Sequence, residues 1–244
     1  MKKNVAIGIQ DFEKLITSGC FYIDKTDFIR EWWDSGDEVT LITRPRRFGK
    51  TLNMSMLERF FSTNYARQGS VFQGLSIWER EEYRQLQGTY PVIFLSFAII
   101  KESSFPEARK SICRMIEEQY NKYDFLLEKG LLNEKERAFY QSVTTDMSSS
   151  TAAVALRMLS DFLCRHHKKK VIILLDEYDT PMQEAYVGGY WEEMTAFIRT
   201  MFNATFKTNP WLERAIMTGI TRVSKESVFS DLNNLNVVTT TSEE

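Results

Sequence analysis

Histidine and cysteine are scarce in this 244-residue chain, which has His166 and His167 and three cysteines, Cys20, Cys113 and Cys164. Two histidines argue against a histidine-rich metal centre. Three widely separated cysteines without metal-ligand spacing read as reduced, structural thiols of a cytosolic protein. Long apolar runs are missing as well. The stretch from Val92 to Ile100, with Ser96 inside it, falls far short of the roughly 20 residues needed to cross a bilayer. Met1-Lys2-Lys3 is basic, but Asp11 interrupts before any apolar segment develops, so no export signal is expected. Nor does one sign of charge dominate: 31 basic residues face 33 acidic ones, a net charge of −2. No global field therefore draws the protein to nucleic acid or anionic lipid. Repeats, low-complexity tracts and Pro/Gly-rich linkers are also lacking. These exclusions point to a soluble, cytoplasmic protein with no membrane partner. With 43% hydrophobic side chains, it can bury the core of one large domain.

Short β-rich segments do occur, at "VTLIT" (39–43), "YPVIFLSF" (90–97), "VIILL" (171–175) and "RAIMTG" (214–219). Long stretches of helical character separate them. That alternation predicts an α/β protein with a mainly parallel sheet flanked by helices. Met194, Phe197, Ile198, Met201, Phe202 and Thr205 follow helical spacing and predict a core-facing helix. "MSSSTAAVALRMLSDFLCRHHKKK" opens on serines able to cap a helix and closes on basic residues suited to the negative end of its dipole. Residues 166–170 are read as that terminus leading into the next strand. Together with Arg46 and Arg47 they leave nucleic-acid binding as a minor reading, since basic groups without interleaved aromatics are common at surfaces. The polar stretch 120–150 is open between a helical hairpin and a mobile excursion.

The chemistry begins at "LITRPRRFGKT" (41–51). Its Gly49-Lys50-Thr51 ending matches a phosphate-binding loop, although Arg44 and Pro45 stand where the general pattern opens on glycine. The triplet alone should arise by chance in roughly one chain in ten of this length. Its context is more specific: an apolar strand leads in, and "TLNMSMLERFF" follows with helical patterning. Strand, loop and helix together aim backbone N–H groups and a helix N-terminus at a phosphate. In that geometry Lys50 reaches the β- and γ-phosphates of a nucleotide and the Thr51 hydroxyl ligates Mg²⁺. The N–H groups of Arg46, Arg47, Phe48, Gly49, Lys50 and Thr51 line the cradle, to which Pro45 contributes none. Arg46 and Arg47 either screen phosphate charge, point to solvent or bind acidic side chains.

A second signal lies 126 residues beyond Lys50 (176 − 50), in "VIILLDEYDTP". Apolar residues ending in Asp-Glu form a Walker B pattern, expected by chance in on the order of one chain in a hundred. A buried strand carries Asp176 to its carboxyl end to hold Mg²⁺ through water. Glu177 either polarises the attacking water or meets a salt-bridge partner. Asp179, followed by Thr180 and Pro181, is read as a helix cap ahead of a catalytic group.

Together "IGIQDFEKLITSGCFYIDKTDFI", "LITRPRRFGKTLNMSML", "YPVIFLSF", "VIILLDEYDTPMQEAY" and "LERAIMTGITRVSKESVFSDLNNL" resemble the bacterial AAA-ATPase-like family of divergent P-loop proteins. The resemblance runs from about Ile7 to Val238, and in that family the arginine-proline opening is usual. It implies a P-loop NTPase of ASCE type, in which "AIMTG" forms a strand between those carrying Walker A and Walker B. Thr218 then becomes a polar sensor and Arg222 a sensor or arginine finger, against the plainer readings of a strand-end hydroxyl and a surface salt bridge. "YIDKTDFI" falls near the nucleotide base, with Tyr22, Asp24 and Lys25 as contacts or as ordinary turn residues. Asn233 and Asn234 are read as capping or turning residues in a last helix-and-strand segment, with a place in the site as the alternative.

Family members usually continue into a C-terminal PD-(D/E)XK nuclease-like domain, whereas "NVVTTTSEE" ends this sequence. The expectation is a single P-loop domain over 1–244 whose effector domain is missing, either as a fragment of a longer protein or as a natural stand-alone form, and no nuclease function is carried over. The resulting functional reading is a Mg-dependent ATP-binding domain that hydrolyses ATP slowly and acts as a nucleotide-controlled switch for a protein partner or that effector. The alternative is a catalytically silent nucleotide-binding or interaction module. Oligomeric state and preference for adenine over guanine are left open.

Overall fold

The structure, a computed structural model, describes residues 4–5, 8–128, 130–221, 228–229 and 232–239. The chain opens with α1 (Phe12–Thr17) and α2 (Asp27–Asp34), then passes through β1 (Val39–Thr43) into α3 (Lys50–Phe61). Short turns and α4 (Glu81–Arg84) lead to β2 (Val92–Ser96). Three helices follow, α5 (Phe105–Lys122), α6 (Glu134–Ser142) and α7 (Ser149–His167). The remaining elements are β3 (Val171–Asp176), α8 (Thr180–Gly188), α9 (Trp191–Phe202), β4 (Leu212–Gly219) and β5 (Leu235–Val238).

Among the described residues, the five strands are all parallel, in the order β2-β3-β4-β1-β5. This is the α/β P-loop arrangement expected from the resemblance. β4 lies between β1 and β3, with Ile42 opposite Thr218 and Leu175 opposite Met217. The carboxyl ends of β1, which leads into the loop before Lys50, and of β3, which carries Asp176, therefore flank the end of β4. In an open parallel sheet that rim is where ligands bind.

Alternation along each strand supplies two apolar faces. Leu41, Ile93, Ile173 and Met217 face one core, packed with Ile112 of α5, Phe162 of α7 and Met201 of α9. Val92, Ile172, Leu174 and Ile216 face the other, packed with Phe12 of α1, Trp32 of α2 and Leu57 and Phe60 of α3. All six residues of β3 are buried, as a strand covered on both faces requires, and this explains its unbroken apolar run.

The predicted stripe is buried at every position from Met194 to Thr205. Its last member lies in a π-helical turn, Asn203–Lys207, that extends α9. Among the described residues of 120–150, Glu134–Ser142 forms the helix α6, which is packed against its neighbours. Tyr140 of α6 donates to the Tyr120 carbonyl, and Tyr120 donates to the Ala155 carbonyl of α7, at 2.6 and 2.7 Å. Ser148 caps α7 by accepting from the Thr151 N–H, as the serine run implied. No helix among the described residues is long and apolar enough to cross a membrane.

The basic end of α7 departs from expectation at His167. Burial, with the neighbouring His166 charge second, lowers its pKa to about 4, so desolvation outweighs the attraction of the helix dipole. The unfolded chain takes up this proton near pH 6.5 and the folded chain near pH 4. This contribution to stability is whole above pH 6.5 and is lost as pH falls from there toward 4. Urea midpoints at pH 7 and pH 5 should therefore differ less in His167→Gln than in the wild type.

Candidate functional site

β1 delivers the chain to the loop 44–49, and the backbone shows why the opening glycine is dispensable. Arg44 donates its N–H to the Gly219 carbonyl at 3.2 Å, extending the β1–β4 pairing by one residue. The left-handed residues of the loop are Arg47 (φ 69°) and Gly49 (φ 78°), so positive φ is required there and not at position 44. Glycine adopts it freely, whereas Arg47 does so at a cost of about 1–2 kcal/mol. Arg46, Arg47 and Phe48 are exposed, Phe48 at 59%.

Gly49 is the N-cap of α3, and having no side chain it leaves the first-turn amides uncapped. The first turn carries no acidic residue to offset the positive end of the helix. Lys50 Nζ donates to the carbonyls of Arg44 and Pro45 at 2.8 and 3.0 Å, closing the loop on itself. An anion at the loop would compete with those carbonyls for the ammonium.

Asp176 is the point on which the strands converge. It is 1% exposed, and its Oδ2 accepts from the Thr51 hydroxyl at 2.7 Å. Its Oδ1 accepts from the hydroxyl of Thr218, the next-to-last residue of β4. Thr51 and Asp176 are 125 residues apart in sequence. Because Thr51 spends its hydrogen on the carboxylate, its oxygen keeps lone pairs for a hard cation, so these residues fit Mg²⁺. Among the described residues no group of three or more His, Cys, Asp or Glu could hold a metal ion. Magnesium does not need one, since it is commonly held by one or two protein oxygens with phosphates and water.

Glu177 follows in the left-handed region, φ 52°. Its N–H points to the Thr218 hydroxyl at 3.4 Å, and its Oε2 accepts from the Thr180 hydroxyl at 3.3 Å. Asp179 differs from expectation. It occupies the N-cap position of α8 but makes no capping bond. Its Oδ2 instead accepts from the Ile220 and Thr221 N–H groups at 3.0 and 2.9 Å. Gln183 Nε2 and the Thr221 hydroxyl also donate to that oxygen. The αR backbone at Asp179 differs from the extended form usual at a cap.

A cavity of about 760 Å³ adjoins the loop, between α2, α3 and the sheet. Phe28 and Trp32 wall one side, Ile42 and Val238 form part of the floor, and Lys50 and Thr218 stand at the loop end. Its volume suits a small ligand. Lys25 and the half-buried Arg44 also line it. Asp24 is used structurally, accepting from Thr26 and from the Ser76 N–H, and the Tyr22 hydroxyl accepts from the Lys25 N–H. Asn234 likewise ties Glu38 to the Phe206 carbonyl, and Asn233 lies in a turn. Arg222 and most of the expected last helix lie outside the described residues.

Gly219 and the Phe28–Trp32 wall were missed from sequence. The wall was visible in principle as an i, i+4 aromatic pair. Gly219 was not, because its need is tertiary: a Cβ there would lie 2.5 Å from the Tyr178 ring and 2.8 Å from Asp179 Oδ1. Gly219→Ala should cost about 1–3 kcal/mol through overpacking, read as a lower urea midpoint.

Comparison with known proteins agrees with this arrangement. A curated relative, an uncharacterized protein in the vnfD 5' region of Azotobacter chroococcum mcd 1, is 26% identical over 239 residues. The match covers 96% of this chain and 40% of that protein, so the chain spans less than half the relative's length. No solved structure matches. The sequence model of the family described as predicted AAA-ATPase matches residues 6–229. That span is most of the chain, and it supports nucleotide binding. With strands, loop and buried aspartate arranged as a P-loop fold requires, the chain belongs to the predicted AAA-ATPase family.

Proposed function

We propose that the chain is a Mg-dependent ATP-binding domain that hydrolyses ATP slowly and uses its nucleotide state to control a partner or an effector domain. One observation carries the reading: hydroxyls from α3 and β4 meet on the buried carboxylate of Asp176, beside an uncapped helix N-terminus. In this reading Lys50 leaves the Arg44 and Pro45 carbonyls to neutralise phosphate charge. The backbone of Arg46, Arg47, Phe48 and Gly49 cradles the phosphates, with Lys50 and Thr51 continuing it into α3. Thr51 and Asp176 hold Mg²⁺, which when bound offsets charge on the terminal phosphates. Glu177 takes up the water proton or orients the water. Thr218, whose hydroxyl lies between Asp176 and the Glu177 N–H, keeps those two acids in register as the polar sensor. Arg222, three residues beyond Gly219 in sequence, supplies the arginine of the resemblance. The cavity lined by Phe28 and Trp32 takes the base. The share of the relative left uncovered, 60% of its length (100 − 40), supports a larger assembly in which such a domain reports to another part.

A thermal-shift titration tests binding. Mg-ATP at 100 times its dissociation constant should add about 2.7 kcal/mol of stability, and Lys50→Ala should lose most of that gain. Multiple-turnover phosphate release tests hydrolysis. Glu177→Gln should release phosphate about 10²- to 10⁴-fold more slowly while keeping the ATP-induced shift. Equal release by wild type, Lys50→Ala and Glu177→Gln would instead leave a catalytically silent nucleotide-binding module.

A further inference from the structure

Asp179 is 1% exposed and does not cap the helix it precedes. Three of the four bonds to its Oδ2 come from Ile220 and Thr221, the two residues that follow β4. The neighbouring residues make the same connection. Tyr178 donates its N–H to the Thr218 carbonyl at 2.9 Å, and its hydroxyl donates to the Thr221 carbonyl at 2.8 Å. Glu177 directs its N–H at the Thr218 hydroxyl. Three consecutive residues after β3 are thus fastened, bond by bond, to residues 218–221 at the end of β4 and just beyond it.

Gly219 makes this fastening tight, because the Tyr178 ring and the Asp179 carboxylate occupy the space a side chain would need. Asp179 Oδ1 is buried and accepts no hydrogen bond among the described residues. The carboxylate is therefore held by its bonds to this segment and to Gln183 of α8, with no bond to its own helix terminus. A carboxylate retained only to start α8 would accept from the amides of that first turn.

We infer that Asp179 is a positioning residue for hydrolysis. It fixes residues 219–221 against the end of β3, and so sets the left-handed backbone of Glu177. This inference rests on the hydrolytic reading of Asp176 and Glu177 above. Asp179 touches neither of the acids assigned to Mg²⁺ and water among the bonds described, so its effect falls on the chemical step and leaves phosphate binding at Lys50 and Thr51 intact.

The test compares wild type, Asp179→Ala and Asp179→Asn by phosphate release, by Mg-ATP titration and by amide hydrogen exchange at Ile220 and Thr221. Asp179→Ala should lower kcat about tenfold or more, keep the Kd for Mg-ATP within about threefold, and lose exchange protection at both amides. Asp179→Asn retains a carbonyl oxygen that can accept from them and should recover most of kcat. A purely structural role would lower stability and leave kcat per folded molecule unchanged, and that result would overturn the inference. If Asp179→Ala does not fold, Tyr178→Phe and Thr221→Val each remove one bond of the fastening. Each should lower kcat about two- to fivefold, and unchanged kcat in both would also overturn it. A wild type that binds Mg-ATP and releases no phosphate would defeat the hydrolytic reading and, with it, the positioning role in hydrolysis. In that case exchange still separates the two failures: lost protection in Asp179→Ala shows the fastening itself is real, and unchanged protection shows that it too is wrong.

Discussion

Asp176 lies at the end of a strand buried on both faces, and a carboxylate in that position is costly unless hydrogen-bond donors surround it. The donors are the Thr51 and Thr218 hydroxyls, one from the helix after β1 and one from β4. Each bond to such a carboxylate contributes about 1.5–3 kcal/mol. Both require the strand order that puts β4 between β1 and β3. The same bonds that satisfy the carboxylate also gather the loop, the metal-fitting hydroxyl and the neighbouring glutamate at one rim of the sheet.

The loop answers a different constraint. A helix N-terminus meant for an anion must stay uncapped and be approached by a chain that bends tightly. Gly49 meets both needs, because it has no side chain and accepts positive φ. Arg44 can replace glycine because its backbone still runs with the sheet, its N–H bound to Gly219. Pro45 brings no N–H and needs no partner for one. The strain of the loop falls at Arg47, a residue for which the sequence suggests a charge and a cradle N–H but not a left-handed backbone.

Two short motifs and the alternation of strands with helices made the α/β class, the loop and the Walker B strand legible. They were legible because phosphate cradles and buried parallel strands constrain consecutive residues. Asp179 shows where such reading stops. Asp-Thr-Pro is a sound local signal for a helix start, and α8 does begin there, yet the carboxylate bonds to residues 41 and 42 positions away. His167 shows the same limit for charge: the helix dipole is local and readable, but the burial that overrides it comes from packing. Gly219 and the wall formed by Phe28 and Trp32 likewise depend on what lies opposite them.

The sequence by itself determined which segments become strands, which helix begins at Gly49-Lys50-Thr51, and that an acidic pair closes the buried strand at Asp176 and Glu177. Those features follow from periodicity, backbone preference and the apolar run, all of which act between near neighbours. Tertiary structure alone decided that Thr51 and Thr218 share Asp176, that Lys50 folds onto the Arg44 and Pro45 carbonyls, and that the Asp179 carboxylate takes the amides of Ile220 and Thr221 in place of those that begin its own helix. Those choices depend on strand order and desolvation, since a buried polar group takes whichever donor the folded chain brings within reach.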